Sequence, residues 1–239
     1  MGWLCTMASN TRHPPGTLGV LSGDQSRWAW FAQSLLGLQM PANTQIIWVH
    51  GLWIAAAVNK LVEAMRADDQ WLQIWADDHR FSADTLTRLL DHNVPLVAPL
   101  CPLRRVPYAP SLFHAEDGGG YRGYTWPELA GRRGLLPVDT FGGPGVVIRR
   151  EVLDAVGAPF FESQPGQRVA PHEDLYTFNK CRLAGFQPYV DLDTPVGHIL
   201  PIAVYPQRLQ SADYALRLWG EETLVVLPTS ESERKSDVW

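Results

Sequence analysis

Gln70-Trp71-Leu72-Gln73-Ile74-Trp75-Ala76-Asp77-Asp78-His79 is the stretch on which the fold turns. Gln70 to Trp75 reads as a strand, and the acidic run Asp77-Asp78-His79 follows it directly. An α/β sheet presents its ligands at the carboxyl ends of its strands. Adjacent carboxylates repel unless a cation or a proton compensates, and a hard divalent ion such as Mg²⁺ or Mn²⁺ is the ordinary compensation. A solvated turn with a helix-capping Asp is the other reading of the same residues.

Upstream, Ser26 to Leu38 has helical spacing, with Trp30, Phe31, Leu35 and Leu38 on one side. Ile46 to Val49 reads as a strand, and Ile54 to Arg66 as a helix whose Ile54, Val58, Leu61 and Met65 form one buried stripe. Trp3 to Met7 is the expected first strand, and Ala8 to Asp24 an expected polar, Pro- and Gly-containing loop. Strand and helix in alternation imply parallel pairing. Downstream, Ser82 is the expected cap of a helix reaching Leu90. Val94 to Pro99 is the near-continuous apolar run of a strand covered on both faces. Cys101 to Arg133 has little periodicity and reads as a long functional loop. Order returns with strands at Leu136–Asp139 and Val146–Ile148 and a helix at Arg150–Val156. A helix at Leu175–Leu183, closed by Gly185, and a strand at Gln187–Val190 follow. The expected class is α/β, with a Rossmann-like, mostly parallel central sheet flanked by helices.

The chain has 239 residues, 46% hydrophobic and 19% charged, enough for a sizeable core. No internal repeat and no linker divides it, so a single domain over residues 1–229 is expected, with a polar tail at 230–239. The net charge of -5 excludes a globally cationic binder. Cys5, Cys101 and Cys181 lie far apart with no CxxC, and read as reduced thiols of a cytoplasmic protein. The amino terminus lacks a signal-peptide pattern, and the most apolar segment, Ile46 to Val58, is too short to span a bilayer. Ten Trp exceed what such a length usually carries. Trp3, Trp30, Trp48, Trp53 and Trp75 fall in or beside expected core elements, leaving Trp126, Trp219 and Trp239 as candidates for stacking on a sugar or base.

Three further constellations carry chemistry. His172-Glu173-Asp174 opens a helix, where carboxylates either cap it or offer one of their number as a general base. His198 follows an extended segment among apolar residues, and reads as a satisfied core histidine or as a ligand. Gly142-Gly143-Pro144-Gly145 makes a tight turn or lets a ligand approach the backbone closely.

In order, these pieces resemble the nucleotide-sugar glycosyltransferases of the GT-A fold, close to family 2 and its phage and bacterial relatives. The matching segments are Trp48-Val49-His50-Gly51 leading to Ala57-Val58-Asn59-Lys60, Trp75-Ala76-Asp77-Asp78-His79-Arg80-Phe81, and Val94 to Pro99. They continue with Phe141 to Arg150, His172-Glu173-Asp174-Leu175-Tyr176, Cys181 to Phe186, and Val196-Gly197-His198-Ile199. The resemblance implies a transferase of the hexosyltransferase type, using a nucleotide-diphosphate sugar and a divalent metal, Mn²⁺ or Mg²⁺. Carried over by residue, Asp78 is a metal ligand, Asp174 of the Glu173-Asp174 pair is the base that deprotonates the acceptor hydroxyl, and His198 completes the metal site. The first Asp of Asp-x-Asp falls on Ala76, so Asp77 and His79 offer a second alignment as Asp-x-His.

The same resemblance places the nucleotide base against Met7, Ala8 and Ser9, and the rim residues Asn59 and His50 near it. Arg104, Arg105 and Tyr108 are candidates for diphosphate or acceptor contacts, and Gly143 and Gly145 for close backbone approach to the donor. A single displacement inverts the anomeric configuration. The acceptor expected is a glycan or a hydroxylated base of modified DNA. For DNA, the segment from Arg104 to Arg133, with Tyr121, Arg122, Tyr124, Trp126, Arg132 and Arg133, offers a local basic and stacking surface. Two other classes compete. One is a metal-dependent hydrolase built from Asp77, Asp78, His79, His172, Asp174 and His198; the other is a non-catalytic nucleotide- or sugar-binding protein, motivated by Ala76. The oligomeric state is not set by the sequence.

Overall fold

The structure, a computed structural model, describes residues 12–22, 29–105, 107–118, 120–162, 173–200, 203–208, 214–219 and 224–226. The expected strand at 3–7, the base-site candidates Met7, Ala8 and Ser9, His172 and the tail from 230 lie outside the described residues.

The described chain opens with β1 (Thr17–Ser22), α1 (Ala29–Gly37), β2 (Gln45–His50), α2 (Ile54–Glu63) and β3 (Trp71–Ala76). Then come β4 (His79–Arg80), α3 (Thr85–Asp91), β5 (Leu96–Leu100), β6 (Leu112–Ala115), β7 (Tyr121–Gly123) and α4 (Trp126–Leu129). β8 (Leu135–Pro137), β9 (Thr140–Phe141), β10 (Val146–Arg149), α5 (Arg150–Val156) and α6 (Glu173–Leu183) follow. β11 (Pro188–Pro195), β12 (Gly197–Ile199), β13 (Ala203–Arg208), β14 (Tyr214–Trp219) and β15 (Leu224–Val226) complete the order.

A seven-stranded sheet in the order β2-β1-β3-β10-β5-β11-β8 forms the centre. β2, β1, β3, β5 and β11 run one way; β10 runs against both of its neighbours and β8 against β11. The sheet is therefore mostly parallel, as expected, with β10 and β8 the antiparallel members. β1 falls within the stretch expected to be a loop. Gly19 sits in it because α2 packs flush on the strand, and a Cβ at Gly19 would stand well inside contact with the Leu61 side chain.

Both faces of the sheet are covered. On one, Leu72, Ile74, Leu96, Ala98, Val146 and Ile148 pack with Val58, Leu61 and Phe178; on the other, Leu18, Val20, Trp71, Trp75, Val97 and Val147 pack with Phe31, Leu86 and Leu89. Successive strand residues point to opposite faces, so burial on both yields the unbroken apolar run of β5 and the run of β3 interrupted only by the buried Gln73. α2 stops at Glu63 rather than Arg66, and Ile54, expected in its buried stripe, is exposed. α3 begins at Thr85; the Ser82 hydroxyl pairs with that of Thr85 at 3.1 Å instead of capping the helix.

The segment expected to be irregular contains the β6–β7 hairpin and α4. Thr125 and Glu128 close α4 with reciprocal capping bonds, the Glu128 carboxylate accepting from the Thr125 N–H at 2.7 Å. Trp126 is buried, and its indole N–H donates to the Tyr108 carbonyl at 3.0 Å, so it is a core residue and no stacking platform. Trp48 and Trp53, expected in or beside core elements, are exposed. A second sheet, β15-β14-β13-β12-β4, joins the centre through β4, which continues from the end of β3.

Candidate functional site

The carboxyl ends of β1, β3, β5 and β11 share one edge of the central sheet, and the candidate residues gather there. Ser22 ends β1, Asp77, Asp78 and His79 follow β3, Cys101 follows β5, and His198 comes just after β11. Because β10 runs in reverse, the glycine turn before Val146 reaches the same edge. Asp77 is held against β1: its backbone N–H donates to the Leu21 carbonyl at 3.1 Å, and its carboxylate accepts from the Ser22 hydroxyl at 2.6 Å.

Asp78, His79 and His198 come together. His79 and His198 are cross-strand partners in the β4–β12 pair, their rings stacked with centroids 4.5 Å apart. Gly197, beside His198, leaves room for the Tyr205 ring, which a Cβ there would meet. Asp78 Oδ1 lies 3.0 Å from His79 Nδ1, and Asp78 Oδ2 lies 3.6 Å from His198 Nε2 and 2.7 Å from the Arg104 guanidinium. Burial works against the Asp78 charge, yet His79 and His198 hold its carboxyl well below the usual carboxylate range. Burial likewise opposes a charge on His79, and Asp78 outweighs it, pushing the imidazole up.

Cys101, read from sequence as an ordinary reduced thiol, belongs to this cluster. Ligand atoms of His79, Cys101 and His198 all lie within 4.8 Å of one another. Burial favours the neutral thiol, but the two imidazoles prevail and bring Cys101 down to about 7. His79 Nε2 is buried and makes no hydrogen bond among the described residues. Buried polar atoms without partners are uncommon, and this one adjoins a set of imidazole, thiol and carboxylate donors. That set fits a divalent transition ion. It does not fit Mg²⁺, which demands an octahedron of oxygens.

Asp174 opens α6 beside the glycine turn. Its carboxylate accepts from the Leu175 N–H at 2.9 Å and from the Gly143 N–H at 3.3 Å. Burial dominates these bonds and raises the carboxyl to about 6, the range suited to a proton acceptor near neutral pH. Gly142 and Gly145 are required by close packing: a Cβ at the first would meet the Ser111 hydroxyl, and at the second the Trp75 ring. Gly145 also has φ +67°. Glu173 precedes Asp174 at the helix start, half-buried.

Other sequence candidates fall elsewhere. The Asn59 amide brackets the Phe161 backbone, donating to its carbonyl at 2.8 Å and accepting its N–H at 2.9 Å. His50 is exposed at the end of β2. Within the basic and aromatic segment Tyr124 and Trp126 are buried, Tyr121 is half-buried, Arg132 is exposed, and the exposed Arg122 and Arg133 pair with Glu128 and Asp193. No described helix is long and apolar enough to cross a membrane.

No family model matches the sequence, and no curated protein matches it. Solved structures do match in fold. A197 from STIV superposes with a TM-score of 0.56 at 12% identity, covering 89% of this chain and 94% of that one. GalNAc-T7, solved with UDP, GalNAc and Mn²⁺, superposes with a TM-score of 0.55 at 11% identity, covering 77% of this chain and 44% of that one. At such identities the likeness is one of fold, and the architecture of this chain is the GT-A type that the order of its motifs implies.

Proposed function

We propose that this chain is a glycosyltransferase that moves a sugar from a nucleoside diphosphate sugar to an acceptor hydroxyl with inversion, assisted by a divalent ion. The observation that carries the reading is the convergence, at the carboxyl edge of a GT-A-type sheet, of a cluster that could hold a cation and a half-buried carboxylate raised to about 6. The fold neighbour GalNAc-T7, solved with UDP, GalNAc and Mn²⁺, supports the donor class.

In this reading His79 and His198 hold the ion, with Asp78 fixing the His79 ring, while Arg104 faces the diphosphate from beside Asp78. The ion, when bound, offsets the negative charge that develops on the departing diphosphate. Asp174 takes the proton of the acceptor hydroxyl as its oxygen attacks the anomeric carbon from the face opposite the diphosphate. The Gly143 N–H fixes one carboxylate oxygen of Asp174, and the glycine turn lets the donor come close to the backbone. Each displacement forms one C–O bond and breaks one, releasing the nucleoside diphosphate and leaving the proton on Asp174. The acceptor class is a glycan or a hydroxylated base of modified DNA; the burial of Tyr124 and Trp126 takes two rings from the surface that favours DNA, so the glycan is the reading preferred.

Incubation with a panel of nucleotide sugars, with and without divalent ions, tests the reading by release of nucleoside diphosphate. Metal-stimulated release from one donor is the expected result. Donor binding with no turnover under any acceptor or ion would overturn it.

A further inference from the structure

We infer that Cys101 is a metal ligand, and that His79, Cys101 and His198 form a three-ligand N,S,N site for an ion of the zinc class rather than for Mg²⁺ or Mn²⁺. The inference deepens the proposed function, since it concerns the ion of that same site.

The geometry of the two imidazoles carries it. His198 Nδ1 lies 2.9 Å from the Pro102 carbonyl, and His79 Nδ1 lies 3.1 Å from the Ala76 carbonyl. A carbonyl only accepts, so each Nδ1 carries a proton, and Nε2, on giving up any proton of its own, is the nitrogen left to face an ion. His79 Nε2 is buried and makes no hydrogen bond among the described residues. Metal-binding histidines are oriented in this way, one ring nitrogen anchored by a carbonyl or carboxylate and the other directed at the ion. Asp78, 3.0 Å from His79 Nδ1, supplies the carboxylate version of the same anchor and acts as a positioning residue.

The third donor sits at the end of β5, a buried thiol whose Sγ lies within 4.8 Å of ligand atoms on both rings. In a tetrahedral zinc site, ligands about 2.0–2.3 Å from the ion stand roughly 3.3–3.8 Å apart, a contraction within reach of side-chain adjustment. Two imidazoles and a thiolate select Zn²⁺, Co²⁺ or Fe²⁺, while Mg²⁺ takes oxygen ligands and Mn²⁺ stands lowest in the first-row order of affinity. Three protein ligands leave a fourth position open, as in catalytic zinc sites, and a diphosphate oxygen or water completes it. Binding releases the thiol proton to solvent.

Co²⁺ is the probe, titrated anaerobically into the reduced, metal-free protein. The expected result is one Co²⁺ per chain with a thiolate-to-cobalt charge-transfer band in the near ultraviolet. The band persists in a Cys5→Ser/Cys181→Ala variant and disappears in Cys101→Ser, which binds Co²⁺ at least about tenfold more weakly. Zn²⁺ displaces the Co²⁺, and a Mg²⁺ excess on the order of a hundredfold does not. A wild-type spectrum without the band, whatever the behaviour of the variants, overturns the assignment of Cys101, as does a band that survives in Cys101→Ser. If the band is present while no donor releases nucleoside diphosphate, the metal site stands and the transferase reading falls.

Discussion

Replacing Asp174 by Asn should make the protein both more stable and inactive. The carboxyl is raised from 3.8 to about 6 in the folded chain, chiefly by burial. A difference of about 2 units, at about 1.36 kcal/mol each, makes ionised Asp174 cost the folded state up to about 3 kcal/mol. The sign follows from the raised value. The folded state holds its proton more tightly than the unfolded chain, so the penalty is absent below about pH 4, grows as pH rises toward 6, and is complete above it. Asn carries no charge and escapes the penalty, but its single oxygen keeps only one of the two backbone bonds, from Leu175 at 2.9 Å or Gly143 at 3.3 Å. Losing the other offsets about 1–1.5 kcal/mol. The net gain at pH 7.5 is about 1–2 kcal/mol, a rise in Tm of roughly 2–8 °C for a chain of this size. Urea and thermal unfolding of both proteins at pH 7.5 and pH 4 check it: the gain should be present at the higher pH and absent at the lower. Nucleoside diphosphate release should be lost in the variant, and in the wild type should fall as pH drops through 6. A variant less stable at pH 7.5, or a difference independent of pH, would refute the reasoning about burial.

Other perturbations separate structural from chemical roles. Gly19→Ala drives a methyl group into Leu61 and should cost about 1–3 kcal/mol, read as a lower urea midpoint with unchanged slope. Asn59→Ala removes the amide that brackets Phe161 and should cost about 1–3 kcal/mol in the same measurement. Arg104→Ala breaks a pair whose guanidinium is half-exposed, so stability should move by less than about 1 kcal/mol. Its effect should appear instead as a raised KM for the donor with kcat less affected.

The glycines of the amino-terminal segment show why β1 was hidden while β3 and β5 were plain. Pro14, Pro15, Gly16 and Gly19 make residues 8–24 look like a loop. Gly16 and Gly19 are small because the Trp71 ring and the Leu61 side chain occupy the places a Cβ would take. Composition alone does not separate a glycine that bends the chain from one that admits a neighbour, because the neighbour is remote in sequence. Strand direction was hidden for a related reason. Val146 to Arg149 has no feature that distinguishes up from down, and only its insertion between β3 and β5 fixes it as antiparallel. β3 and β5 needed no such partner to be recognised, since burial on both faces writes itself into a nearly continuous apolar run.

The same contrast governs the site. Asp77, Asp78 and His79 are contiguous and stand directly after an obvious strand, so their place at the sheet edge follows from local sequence. The partnership of His79 with His198 depends on the β4–β12 pairing, and nothing near His198 distinguishes a ligand from a buried core histidine. Trp126 misled for the opposite reason. A Trp in a polar, glycine-rich stretch suggests an exposed platform, but a carbonyl that accepts its N–H, here that of Tyr108, allows full burial. Cys101 carried a usable signal in its position. The rule that singled out Asp77, Asp78 and His79, that ligands gather where parallel strands end, applies with equal force to the residue just past β5. A cysteine without a CxxC partner has no local motif, yet a metal site at a sheet edge needs none, because its ligands come one or two from each strand end and are assembled by the order of the strands.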